Sequence, residues 1–289
     1  MHPYIKVSRS VFSGFLVIVF LVLPVNLFCQ VPEVSLVHLA TPEGRAAAQA
    51  AKIILERDLG MQVELQESEP KAAFAAVARG KADVFLEAHL PTLHKEFFEK
   101  NRSKISDYGC LYRGVKSGLI VPAYADINKI AELNTRKERF NTRILGYESD
   151  QALISTLEQA VIPRYKLDFD LETSRELKLQ ADIRMAVSSG EWIVFAGTTP
   201  HWMFAKWELK FLRQDLDKLV WQTDDIRIVG RKELASDNPE LVRFLGRFSF
   251  TEDEMSDLLL KVWESTVTAD MAVDQWLGFH EELVRSWVD

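Results

Sequence analysis

Four short polar stretches of the chain carry the residue types that hold small molecules: Thr41-Pro42-Glu43, His89 through His94, Gly146 through Asp150, and Thr198-Thr199-Pro200-His201. His89, His94 and His201, with Glu87 close by, are the side chains that a metal site would need. Their spacing is neither that of His-Glu-x-x-His nor of another zinc pattern. The sequence has no Gly-x-Ser-x-Gly elbow and no Gly-x4-Gly-Lys-Ser/Thr loop, and Cys110 stands in no recognisable nucleophile motif. No metal, cofactor or catalytic residue is therefore expected, and the chain does not read as an enzyme. The chemistry left is binding. Thr41, Glu43, His89, Tyr147, Thr198, Thr199 and His201 offer hydroxyls, a carboxylate and imidazoles to a small ligand.

These stretches follow a repeated pattern. An apolar run over 34–40 reads as a buried strand. An alanine-rich helix follows, with Pro42 and Glu43 in its first turn and Gly60 at its end. Residues 61–67 alternate as a strand does. A second helix runs from Pro70 to Gly80, and residues 82–88 form a third strand. This is a β-α-β-α-β unit with parallel strands. A second unit begins with the run 117–125, stopped by Pro122. A short helix follows, then a strand, a turn at Gly146 and a helix over 142–161, a further helix before Gly190, and a strand ending at Thr198. An aromatic-rich helix carrying Trp202 and Trp207 comes next. A strand lies near Ile226 to Arg231, and the tail from Pro239 is helical. Each polar stretch falls at the carboxyl end of a strand, where open α/β sheets bind ligands. The pattern implies two α/β lobes around one cleft: 31–121 with 229–289, and 122–228. The chain is expected to cross near Pro122 and to return near Ile226–Arg231.

At 289 residues the chain suffices for two lobes of about 100–150 residues each. It is 47% hydrophobic and 27% charged, with a net charge of −7, so it is globular and a poor partner for nucleic acid. Lys6 and Arg9 precede an apolar run broken by Pro24 and ending at Leu27-Phe28-Cys29. That reads as a secretory signal over 1–29, with an uncleaved membrane anchor as the alternative. Cys110 is then alone in the mature chain and reads as a small buried hydrophobe.

The stretches "ADVFLEAHLPTLHKEFFEK", "SGLIVPAYADINKIAEL" and "IVFAGTTPHWMFAKWELKFL" resemble the glycine betaine/choline substrate-binding proteins of ABC importers. The resemblance covers nearly all of the chain after the signal. It implies a two-lobed periplasmic-binding-protein fold of type II with two crossover strands. It also implies a periplasmic or extracytoplasmic monomer that captures a quaternary amine or related osmolyte and delivers it to an ABC permease. In that family a quaternary ammonium, which donates no hydrogen bond, is caged by aromatic faces. One cage indole precedes Leu-Pro after the third strand, where His89 stands here. Another lies two residues before Pro-His-Trp, where Thr198 stands. An aromatic following the first strand in some members is absent from "LATPEG", and the small Gly-Ala-Gly-type turn becomes "GYESDQA". Each lost face removes about 0.5–2 kcal/mol of cation attraction. Tyr147, Phe85 or Trp192 could rebuild a cage from other positions. Otherwise the polar set suits a ligand that does hydrogen-bond: an amino acid, a polyamine-like cation, or a hydroxylated or carboxylated osmolyte. A membrane-tethered or secreted sensor on the same scaffold is the alternative function.

Several of these residues also have plainer readings. His201 either faces the cleft or fixes its turn. His94 reads as a helix cap or surface residue, Trp202 and Trp207 as core. Glu87 reaches the cleft or the hinge, and Glu148 and Asp150 complement a helix dipole.

Overall fold

The computed structural model describes Met1 and residues 33–289, apart from positions 216 and 218. The expected signal lies outside the described residues. The chain first lays down β1 (Glu33–His38), α1 (Pro42–Arg57), β2 (Gln62–Glu67), α2 (Pro70–Ala78), β3 (Val84–Leu90), α3 (Lys95–Asn101) and β4 (Ile105–Val115). After one residue, Lys116, it enters β5 (Ser117–Pro122). A 3-10 segment (Ile130–Phe140) leads to β6 (Arg143–Tyr147), α4 (Gln151–Thr156), a π turn (Leu157–Val161), α5 (Ile162–Tyr165) and β7 (Asp170–Ser174). Then come α6 (Glu176–Ser189), β8 (Phe195–Thr198), α7 (Met203–Lys206), β9 (Leu209–Phe211) and β10 (Asp224–Arg231). The chain closes with α8 (Leu234–Asp237), α9 (Pro239–Arg247), α10 (Glu252–Glu264), α11 (Ala269–Phe279) and α12 (Glu281–Val288).

The strands form two five-stranded sheets, ordered β2-β1-β3-β10-β4 and β7-β6-β8-β5-β9. In the first, β1 runs parallel to β2 and β3, while β10 is antiparallel to β3 and β4. In the second, β6 is parallel to β7 and β8, and β5 is antiparallel to β8 and β9. Pro42 opens α1, the Thr41 hydroxyl accepts from the Gly44 amide at 3.0 Å, and Ala46, Ala47, Ala50 and Ala51 form its buried stripe. Small residues there let the helix lie close on the sheet. One continuous core joins Leu36, Ile54, Val84 and Phe244 to Ile120, Phe195, Trp202 and Met203 from the second-sheet segment. A second core, around Leu119, Ile144, Leu157 and Val194, lies wholly in that segment.

Four sequence expectations change. The chain passes from the first sheet to the second between Val115 and Ser117, and back between Phe211 and Asp224, not near Pro122 and Ile226–Arg231. Residues Ser117 to Ile120 pair with β8, and β10 pairs throughout with β3 and β4. The long strand β4 carries Gly109, Arg113 and Gly114 and has no clean alternation, and β7 is a polar edge strand, so neither stands out in sequence. Gly146 lies inside β6. An added Cβ would sit 2.3 Å from Ile154 Cδ1, so the glycine serves close packing, and the turn follows at Glu148–Asp150. Finally, the aromatic helix after Thr198 is one turn long. Trp207 is already extended (φ −132°, ψ 146°), and the following residues pair with β5 as β9.

Candidate functional site

At the ends of β1 and β3 the central group is Glu87. It is fully buried, and its carboxylate accepts from the Leu39 amide and the Thr41 hydroxyl, both at 2.6 Å. It also lies over the first turn of α1, where a Cβ on Gly44 would fall 1.9 Å from Glu87 Oε2. Burial pushes the Glu87 carboxyl up to about 7, against the pull of those two hydrogen bonds. Glu43, half-buried beside it, is raised to about 8 by burial and then by the Glu87 charge. Thr41 and Glu43 are therefore brought together with Glu87 into one acidic corner. Thr41 serves both as helix cap and as Glu87 donor.

His89 is the last residue but one of β3, just before the loop that leads to α3. Its half-buried imidazole is lowered by burial, opposed by the Asp224 carboxylate. The loop is held from inside. His94 is 4% exposed, its Nδ1 accepts from the His89 amide at 3.0 Å, and its own amide donates to the His89 carbonyl at 2.9 Å. Burial first, then the neighbouring His89 ring, depresses His94 to about 4, so it is neutral and can accept. His94 does stand at the N-cap of α3, but buried and bonded to His89 instead of at the surface. Asp224 completes the loop: its carboxylate accepts from the Thr92 amide (2.8 Å), the Thr92 hydroxyl (2.7 Å) and the Leu93 amide (2.9 Å).

In the second sheet, Thr198 ends β8 opposite Ser117, with its side chain half-buried. Thr199 is 1% exposed and fully engaged: its amide donates to the Lys116 carbonyl at 2.8 Å, and its Oγ1 accepts from the Lys116 amide at 2.9 Å. It thus sits on the crossing between sheets, not open to solvent. His201 Nδ1 accepts from the Met203 amide at 3.2 Å, and burial lowers this imidazole to about 4. Its ring stacks with Tyr147 from the end of β6, centroids 6.4 Å apart, while the Tyr147 hydroxyl lies 3.7 Å from Met203 Sδ. His201 therefore both fixes the turn and meets Tyr147, whose phenol is raised by burial. Asp150 caps α4 through the Leu153 amide, and Glu148 pairs with Arg175.

Among the described residues the indoles make packing contacts, and Trp202 also meets the polar set, its ring centroid 5.4 Å from that of His201. Trp202 is buried and stacks on Trp263 at 3.9 Å, Trp207 lies 5.5 Å from Trp202, and Lys206 sits over Trp263. Trp192 packs on Phe140 beneath the Arg139 guanidinium, and Trp221 packs on the second core. Trp276 stacks on His280, and Trp287 is buried among Phe248 and Phe250. Phe85 is fully buried, edge-on to Phe74. Of the aromatics expected to rebuild a cage, Tyr147 alone stands with the polar set. Among the described residues no group of three or more His, Cys, Asp or Glu could hold a metal ion.

Residues 32–278 match the family of substrate-binding domains of ABC-type glycine betaine transport systems. The chain belongs to that family. The glycine betaine/carnitine transport binding protein of Listeria monocytogenes is 31% identical over 155 residues, which are 53% of this chain and 51% of that relative. The match thus spans about half the relative's length. Among solved structures, lactococcal OpuAC in its closed, glycine betaine-bound form aligns with a TM-score of 0.68 at 26% identity, covering 89% of this chain and all of that one. The glycine betaine/L-proline-binding protein from Borrelia burgdorferi aligns at 0.67 and 24%, covering 89% and 97%. These neighbours place the two sheets in the type II periplasmic-binding-protein fold, as the resemblance implied. Among the described residues no helix is long and apolar enough to cross a membrane.

Sequence reasoning missed Asp224 and Lys116 as parts of this site; of its two readings of His94, the helix-cap position holds and the surface setting does not. Asp224 is 132 residues from Thr92, and nothing local announces that pairing. The two histidines five residues apart around Leu-Pro were the one available signal for the His89–His94 lock.

Proposed function

We propose that this family member is the extracytoplasmic solute-binding component of an ABC importer, and that it grips its solute by hydrogen bonds in place of an indole cage. The observation that carries this reading is the placement of all seven tryptophans in packing contacts, while Thr41, Glu43, His89, Tyr147, Thr198 and His201 occupy the strand ends. Hydroxyls, a carboxyl and neutral imidazoles reward a ligand with donors and acceptors. A quaternary ammonium donates to none of them, and two or three missing faces reduce its affinity by roughly 5-fold to 10⁴-fold. The solute enters between the lobes, the lobes close about the crossing at Lys116, and the closed form docks on the permease. Thr199 acts here by holding the Thr198 loop.

Calorimetric titration of the folded protein tests the reading. The panel is glycine betaine, choline and carnitine against amino acids, polyamines and hydroxylated or carboxylated osmolytes. A hydrogen-bonding solute is expected to bind at micromolar concentration, at least 100-fold more tightly than glycine betaine. Micromolar glycine betaine binding would overturn the ligand class. No heat and no melting-temperature gain with any solute would overturn solute capture itself.

A further inference from the structure

The two crossings between sheets lie side by side. In the β4–β10 ladder Asp224 faces Val115, so the last residues of β4 and the first of β10 form a two-stranded girdle at the point where the chain changes sheet. A second bond ties it: the Gly114 amide donates to Asp225 Oδ1 at 2.9 Å. Two clamps join this girdle to the loops, one through the Asp224 side chain and one through the Lys116 backbone. Asp224, 6% exposed, grips the loop after β3 through three hydrogen bonds on Thr92 and Leu93. One step along the other strand, Lys116 exchanges two hydrogen bonds with Thr199, on the loop after β8. The first loop follows His89, the last residue but one of β3, and the second follows Thr198 at the end of β8 and carries His201. Both halves of the polar set are therefore pinned to neighbouring residues of one short element, although their parent strands lie in different sheets.

We propose that Asp224 and Thr199 are positioning residues, and that the girdle of residues 114–116 and 224–225 is the common reference frame for both ligand loops. The proposal rests on the solute-binding reading above. Asp224 is buried and fully occupied by the loop, so it acts through His89 and not on solute. Thr199 acts through Thr198 and His201 in the same way. Lobe movement about the girdle then carries each loop as a set piece, with its side chains already oriented. Any solute that bridges the lobes meets groups whose spacing is set at the hinge.

The test uses the ligand-free full chain and three variants, Asp224→Asn, Thr199→Val and Thr199→Ser, followed by amide hydrogen exchange. Asp224→Asn is expected to speed exchange at Thr92 and Leu93 at least tenfold and leave Lys116 and Thr199 unchanged. Thr199→Val is expected to do the converse at Lys116. Thr199→Ser keeps the hydroxyl and restores slow exchange, which rescue of packing alone would not achieve. Unchanged exchange in the named loops, or faster exchange spread evenly over both sheets, would overturn the proposal. In a second arm, the tightest-binding solute of the panel above is titrated into the same variants. At least tenfold weaker binding with each clamp variant, and wild-type affinity for Thr199→Ser, is expected. Wild-type affinity in both clamp variants would overturn the positioning role. The exchange arm needs no ligand, so it decides the girdle even if every solute fails to bind.

Discussion

Replacing Glu87 by Gln isolates one term in the pH dependence of stability. The Glu87 carboxyl is raised from 4.5 to about 7 by burial. The native state therefore keeps a proton that the unfolded chain has already lost between those pH values. Stability from this group is greatest below pH 4.5, falls as pH rises, and is fully lost above about 7. At about 1.4 kcal/mol per pH unit the whole effect is about 3 kcal/mol. His94 works in the opposite sense. It is depressed to about 4, so the unfolded chain binds its proton first, and stability falls as pH drops from 6.5 through 4. Between pH 4.5 and 6.5 the two slopes oppose each other, and the wild-type profile alone identifies neither.

The difference between Glu87→Gln and wild type does identify Glu87. The amide keeps one acceptor for the Leu39 amide or the Thr41 hydroxyl but turns a donor toward the other. That mismatch costs about 1–2 kcal/mol at every pH. In urea unfolding from pH 4.5 to 8, the variant is expected to be weaker than wild type at pH 4.5. It should draw level or move ahead by pH 8, a relative gain of about 3 kcal/mol. Loss of the Glu87 charge also lets Glu43 ionise more readily, which extends the gain upward in pH. A difference that stays constant to within about 0.5 kcal/mol across this range would refute the reasoning, because the charge of Glu87 would then cost nothing on burial.

Three other outcomes follow from the same geometry. Gly44→Ala should lower the melting temperature, although alanine ordinarily stabilises a helix by about 1 kcal/mol: its Cβ would fall 1.9 Å from a carboxylate oxygen that burial and two hydrogen bonds hold in place. A rise in melting temperature would show that Glu87 yields freely. Trp202→Ala, removing a ring 5% exposed, should cost about 3–5 kcal/mol in denaturant unfolding. Its stacking partner Trp263, 45% exposed, should cost about 1 kcal/mol when cut to alanine, and equal losses would contradict this division. His89→Trp and Thr198→Trp together should raise affinity for glycine betaine in calorimetry by about 5-fold or more, at about 0.5–2 kcal/mol per restored face. No gain would mean that these strand ends do not face a common ligand.

The local elements were legible because local pattern decides them. Pro42 and Gly60 bracket α1, Pro70 and Gly80 bracket α2, and the apolar runs mark β1, β3, β5 and β8. The strand-end polar residues were legible too, and with them the absence of indoles at His89 and Thr198. The family signature followed from the same short stretches. Tertiary structure decided what depends on partners far along the chain. It paired β4 with β10, although β4 has no alternation to reveal it, and so moved the sheet change to Lys116. It buried His94 and Thr199, which sequence had offered as a helix cap or surface residue and as a ligand contact, and each accepts from a backbone amide, that of His89 and that of Lys116. It brought Asp224 to Thr92 across 132 residues, and it sent every tryptophan into packing. Periodicity records which face of an element is apolar. It carries no record of which distant hydrogen-bonding group will meet that element when the sheets close.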